Sequence, residues 1–171
     1  MGPEIKMTQI SSSQWGYYIN GLMRWYKRLV AVYKPRRSLD YDYADDVTNA
    51  FFLFCYHLKD WLINDSSIKI AAKDVETFIS ASTPLSISAD LANGSKHLGL
   101  TRVRSNAKNL KVNPTIKMTL VVNSKSKSKA YYSRSIEVDG KVYDALDLAK
   151  LCLVDWQTYL KSKGLIKNDL V

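Results

Sequence analysis

The sequence predicts an α+β domain: a mainly helical bundle with a small three-stranded antiparallel β-meander inserted before the last helix. Three observations carry this. Apolar residues recur at steps of three and four through the first hundred positions and again after residue 144. Between these stretches the pattern changes to alternation and contains the turn pair Asp139-Gly140. The chain has 171 residues, 46% of them hydrophobic, with only seven Gly and four Pro, which suits one folded domain and excludes a disordered or repetitive chain. Residues 1–13 read as a flexible lead-in, and residues 14–171 as the domain: bundle over 14–98, basic meander over 99–143, C-terminal helix over 144–163. The N-terminus lacks the apolar core of a secretory signal, and Met7 would serve as an alternative start.

The first helix is expected over residues 14–33, where Trp15, Tyr18, Leu22, Trp25, Leu29 and Val32 form one stripe. Pro35 stops it, and Lys34, Arg36 and Arg37 place positive charge at its C-terminal end, as the helix dipole favours. The second is expected over 42–64, with Val47, Phe51, Phe54, Leu58 and Leu62 inward. Asp46, His57, Asp60 and Asn64 form a separate polar stripe on it. A short helix over 71–80 ends before Pro84, and another runs over 86–98. In that last one Asp90, Asn93 and His97 lie beside the apolar face, as residues at a helix seam do. Strands are expected over 116–122 and 130–138, with a return strand from Lys141, and Asp144 caps the final helix.

Charge is distributed unevenly. The formal net charge is +9, of which residues 1–50 hold +2, residues 51–100 hold −1 and residues 101–171 hold +8. Residues 101–136 carry nine cations and no acid, a single-sign field that phosphate-rich partners commonly explain. The helical part reads as a near-neutral scaffold. Arg102, Arg104, Lys117, Lys125, Lys127, Lys129 and Arg134, with Tyr131 and Tyr132 as aromatic faces, are the candidate nucleic-acid contacts. A solvated loop whose lysines serve solubility is the competing reading of the Ser-Lys run at 124–129.

Catalytic possibilities are narrow because only His57 and His97 exist. Glycine-rich phosphate loops, HExxH and serine elbows are absent, and no metal or cofactor is expected. Cys55 and Cys152 each lie in an apolar helical pattern and read as reduced core thiols. One candidate is the segment of Asp90, Asn93, Lys96 and His97. There His97 would move a proton to or from a ribose hydroxyl, and Lys96 or the arginines would stabilise the phosphorane. The alternative role for Asn93 and His97 is to brace the seam by hydrogen bonds. His57, Asp60 and Asp90 form a second polar cluster, whose plainer reading is a local i, i+3 pair on the helix surface.

A bundle whose late helix carries Asn93-x3-His97 resembles the HEPN superfamily, over residues 14–98 and the last helix. The resemblance implies a compact, often dimeric bundle, and in many members a metal-independent ribonuclease with Arg four to six residues before His. Here those positions before His97 are Ala92, Leu91 and Asp90, and before His57 they are Phe52, Phe51 and Ala50, so the arginine is absent. Asn93 and His97 alone carry over.

The expected function is therefore nucleic-acid binding, RNA favoured, by a non-catalytic or divergent HEPN-like cytoplasmic protein. The alternatives are a metal-independent ribonuclease using His97 and Asn93, or a homodimeric accessory factor. A homodimer is expected through the first helix, whose aromatics exceed what one inner stripe hides. No membrane partner is expected, since the longest apolar run spans only residues 50–56.

Overall fold

A computed structural model describes residues 13–94, 104–105, 110–119 and 129–170, with residues 111–119 and 129 as backbone. The fold is α+β, with five helices and an antiparallel hairpin before the last. The helices are α1 (Gln14–Val32), α2 (Tyr41–Asn64), α3 (Ala72–Ala81), α4 (Thr83–Gly94) and α5 (Ala145–Ser162). The strands are β1 (Leu110–Thr119), β2 (Lys129–Val138) and β3 (Lys141–Asp144), in the order β1-β2-β3.

Side-chain caps start four of the helices. Ser13 Oγ accepts from Gly16 N, Asp40 Oδ1 from Tyr43 N at 3.0 Å, and Asp144 Oδ1 from Leu146 N at 2.8 Å. Ser82 starts α4: its Oγ accepts from Leu85 N at 3.0 Å and donates to Asp155 Oδ2 on α5 at 2.5 Å. The short helix ends before Pro84 as expected, but the next one begins at Thr83 instead of residue 86. Pro84 lies in the first turn of α4, where its missing N–H has no partner to lose. β1 also begins earlier than the alternation suggested and includes Pro114. It is an edge strand, the position a sheet allows to proline.

The helices enclose one core. α1 packs along α2, α2 against α4, and α5 closes the bundle against α4 and α2. Trp156 lies fully buried on α5 and donates from Nε1 to Cys55 O on α2 at 3.0 Å. Cys55 and Cys152 are free and buried, and Cys152 Sγ donates to Pro84 O at 3.4 Å. On α1 the stripe is rotated from the expected one. Ile19, Met23 and Tyr26 are buried with Trp15, Leu22, Leu29 and Val32, whereas Tyr18 and Trp25 flank it against Phe54. Gly21 permits that approach, since a Cβ there would stand 2.9 Å from the Phe54 ring.

Asp65, buried just past α2, closes the α1–α2 pair. Its carboxylate accepts from Trp15 N at 2.9 Å, Ser67 N at 2.8 Å and Ser67 Oγ at 2.6 Å. The Ser67 hydroxyl first, then the two backbone N–H groups, hold its pKa below the ordinary carboxylate value. A depressed folded-state pKa contributes stability that is present above the unfolded value and lost as pH falls through the folded one. Thermal melts from about pH 5 down to about pH 2 are expected to show a steeper fall in Tm for the natural chain than for Asp65→Asn, which has no carboxylate to protonate there. Parallel slopes would refute this role for Asp65.

Candidate nucleic-acid interface

β2 determines which face of the sheet is covered. Tyr132 and Ile136 are buried in the helical core, so the same face carries Ala130, Arg134 and Val138 by alternation. Tyr132 stands edge-on to Tyr33 of the α1–α2 connection, with ring centroids 5.5 Å apart. Its hydroxyl lies 3.1 Å from Thr48 Oγ1 of α2, and burial pushes its pKa up to about 12. Arg134, with its side chain 12% exposed, lies 3.0 Å from Asp45 Oδ1 and donates to Asn49 Oδ1 at 2.8 Å. Asp45 and Asn49 share one face of α2, and Asn49 Nδ2 donates to Asp45 Oδ2 at 3.2 Å.

The edge of β2 left uncovered by the short β3 is also sealed. Arg134 N donates to Tyr33 Oη at 3.2 Å. Arg36 pairs with Ala130 in both directions, Arg36 N to Ala130 O at 3.1 Å and Ala130 N to Arg36 O at 2.8 Å. Covering an edge in this way satisfies backbone groups that would otherwise recruit another strand.

The opposite face of β2 takes Lys129, Tyr131, Ser133, Ser135 and Glu137. The pairing register sets Lys111 across from Glu137, Lys117 across from Tyr131 and Thr119 across from Lys129. Three of the expected contacts, Lys117, Lys129 and Tyr131, therefore fall on one sheet face. Tyr131 is half-buried. Tyr132 and Arg134 are corrections: both lie on the core face, Tyr132 in the core and Arg134 in an ion pair, because a period of two separates them from Tyr131 and Ser133. Arg102, Lys125 and Lys127 lie outside the described residues.

A second polar assembly joins α2, α3, α4 and residues 104–105. Glu76 on α3 accepts from Lys59 Nζ at 2.6 Å and from Arg104 Nη2. Burial works against its charge, but hydrogen bonds from Lys59 and Arg104 prevail and its pKa is lowered. Tyr56 lies beneath both cations, 4.8 Å from Lys59 Nζ and 5.6 Å from the Arg104 guanidinium carbon. Asp90 is fully buried and its two oxygens accept the backbone N–H groups of Arg104 at 2.5 Å and Ser105 at 2.9 Å. So Asp90 is a brace for backbone, and Arg104 is a core-side ion-pair partner instead of an open phosphate contact.

His57 Nδ1 lies 2.8 Å from Asp60 Oδ2, the local i, i+3 pair the spacing suggested. Asn93 is half-buried in the last turn of α4, and Lys96 and His97 lie outside the described residues. Among the described residues no group of three His, Cys, Asp or Glu is placed to hold a metal ion. No helix among them is long and apolar enough to cross a membrane.

Sequence reasoning missed Lys59, Glu76, Asp45 and Asn49. The Asp45/Asn49 spacing is visible on one helix, but nothing in the sequence joins Lys59 to Glu76 or either pair to its arginine. The aromatic excess on α1 is largely taken up within the chain: Trp15 and Tyr26 are buried, Tyr18 stacks between Phe54 and Trp61, and Tyr33 meets Tyr132. Tyr17 alone of these stays well exposed, at 68%.

No protein-family model matches the chain, and no curated protein and no solved structure matches it.

Two experiments test these assignments. Asp90→Asn keeps one acceptor oxygen and faces the second backbone N–H with an NH2 group. It is expected to lower stability by about 1.5–3 kcal/mol in urea melts, the size of a hydrogen bond to a charged group. A double-mutant cycle of Arg134→Met with Asp45→Asn is expected to give a coupling of about 0.5–3 kcal/mol. Additive effects would mean that the pair contributes nothing to sheet docking.

Proposed function

We propose that the protein binds single-stranded nucleic acid, RNA favoured, on the basic face of its sheet. The observation that carries this is the inward placement of Tyr132 and Ile136, which leaves Lys129 and Tyr131 of β2 on the other face, across from Thr119 and Lys117. A sheet face combining lysines with an aromatic ring suits a flexible phosphate strand: the cations neutralise phosphates and the ring stacks on a base. In sequence, these residues of both strands belong to the 101–136 stretch, which has nine cations and no acid. Two of those nine, Arg104 and Arg134, are matched by Glu76 and Asp45.

The HEPN-like resemblance offers a second reading, metal-free RNA cleavage through Asn93, Lys96 and His97. Binding is favoured because the neighbouring groups are engaged elsewhere: Asp90 with backbone, Arg104 with Glu76, and Asp60 with His57. A homodimer or accessory role through α1 is the third reading, and the intramolecular partners of the α1 aromatics weigh against it.

Fluorescence anisotropy with a labelled 24-nucleotide single-stranded RNA is expected to show affinity falling steeply with salt. Changing Lys125, Lys127 and Lys129 together to Glu is expected to flatten the log–log salt slope by about two units, at ~0.7 per lost phosphate contact, with Tm unchanged. Absent or salt-independent binding would sink the proposal. The same RNA incubated with EDTA is expected to remain intact; cutting that His97→Ala abolishes would replace the binding reading with the nuclease one.

A further inference from the structure

The near-neutral charge of the helical part conceals a segregation. From Gln14 to Leu39 the chain carries Arg24, Lys27, Arg28, Lys34, Arg36 and Arg37 and no acid. The acids of this half begin at Asp40 and lie on α2, α3, α4 and their connections. All six cations are exposed, and among the described residues none has a carboxylate within ion-pair distance. The nearest acids in sequence are at the start of α2, where Asp40 caps the helix by accepting from Tyr43 N and Asp45 faces Arg134, with Asp42 and Asp46 exposed.

Helical geometry aligns part of this charge. Tyr17, Arg24 and Arg28 are spaced i, i+7 and i+11, within about 20° of one line along α1, and Lys27 lies to one side. Planar rings accompany the cations. The Arg28 guanidinium lies 4.4 Å from the centroid of the half-buried Trp25, and Arg24 lies 5.9 Å from that of the exposed Tyr17. Seen from solvent, this is a ridge of guanidinium groups backed by aromatic faces. It lacks the exposed aliphatic flank with which an interfacial helix enters a lipid surface.

The ridge runs into the sheet. Lys34, Arg36 and Arg37 follow α1, and Arg36 is bonded in both directions to Ala130, the residue after Lys129. From Arg24 to the end of α1 is about 12 Å at 1.5 Å per residue.

We propose that this ridge is a second nucleic-acid contact, continuous with the basic end of the sheet, so that one single strand passes from the sheet across Arg36 and along Arg28, Lys27 and Arg24. The proposal rests on the binding function above and extends its footprint to α1. Arginine with an aromatic backing suits it to phosphates and bases together.

The test uses the full chain and fluorescein-labelled single-stranded RNA of 6 and 24 nucleotides. The variants are Arg24→Glu/Lys27→Glu/Arg28→Glu and the milder Arg24→Gln/Lys27→Gln/Arg28→Gln, read only where thermal melts match the natural chain. Either is expected to weaken binding of the long RNA roughly tenfold at moderate salt, and to flatten its salt slope by about two units. The short RNA, which the sheet alone can hold, is expected to change little. If the natural chain binds RNA, the Lys125/Lys127/Lys129 variant weakens it and both α1 variants match the natural chain, the ridge is overturned while the sheet function stands. If the natural chain binds no RNA, both fall. Loss of binding to anionic phospholipid vesicles, with RNA binding untouched, would assign the ridge to a membrane and overturn the proposal.

Discussion

The seating of Tyr132 between Tyr33, Tyr41 and Thr48 is the contact on which the rest of this molecule depends. A strand has two faces, and burying one residue commits every second residue to the same side. With Tyr132 and Ile136 held in the core, Arg134 is carried inward to Asp45 and Asn49, and Tyr131 is carried to the opposite face with Lys129. A register slip by one residue would place the arginine outside and a tyrosine without its Thr48 partner. The half-buried ion pair and the buried hydroxyl thus act together against such a slip, since either group left unpaired against the core is costly.

The same logic explains how a strongly cationic segment is tolerated next to a packed bundle. Two cations of this segment are neutralised by the bundle: Arg134 of β2 by Asp45, and Arg104 by Glu76, which Lys59 also reaches. Backbone groups are met in parallel, Arg104 and Ser105 by Asp90, Ala130 by Arg36. Asp45, Glu76 and Asp90 meet the joints of the fold, while the cations of α1 are left to solvent. A near-zero sum over the first hundred residues therefore describes neither surface.

Helix existence and order were legible because periodicity and capping residues are local properties. Ser13, Asp40 and Asp144 each stand where a side-chain cap is needed, and Asp139-Gly140 adopts the positive φ angles, 49° and 83°, of a tight hairpin turn. The start of α4 was misplaced because Pro84 reads as a breaker unless one knows it occupies a first turn. The Asp90 seam was also legible, as a polar residue beside an apolar face, although its partner was not. Backbone N–H groups fourteen and fifteen residues away leave no mark on a sequence pattern.

What the sequence determined by itself was the α+β order, the concentration of positive charge after residue 100, and the identity of the aromatic and apolar residues available for a core. What the tertiary structure decided was assignment. Tyr131 and Tyr132 are equivalent in composition, and only packing against Tyr33, Tyr41 and Thr48 sends one to the core and the other to the basic face. Arg104 and Arg134 are equivalent to the other cations of their segment until Glu76 and Asp45 are brought beside them. Charge and hydropathy are local quantities, whereas the pairing of a charge and the side of a strand that is buried are set by residues tens of positions distant.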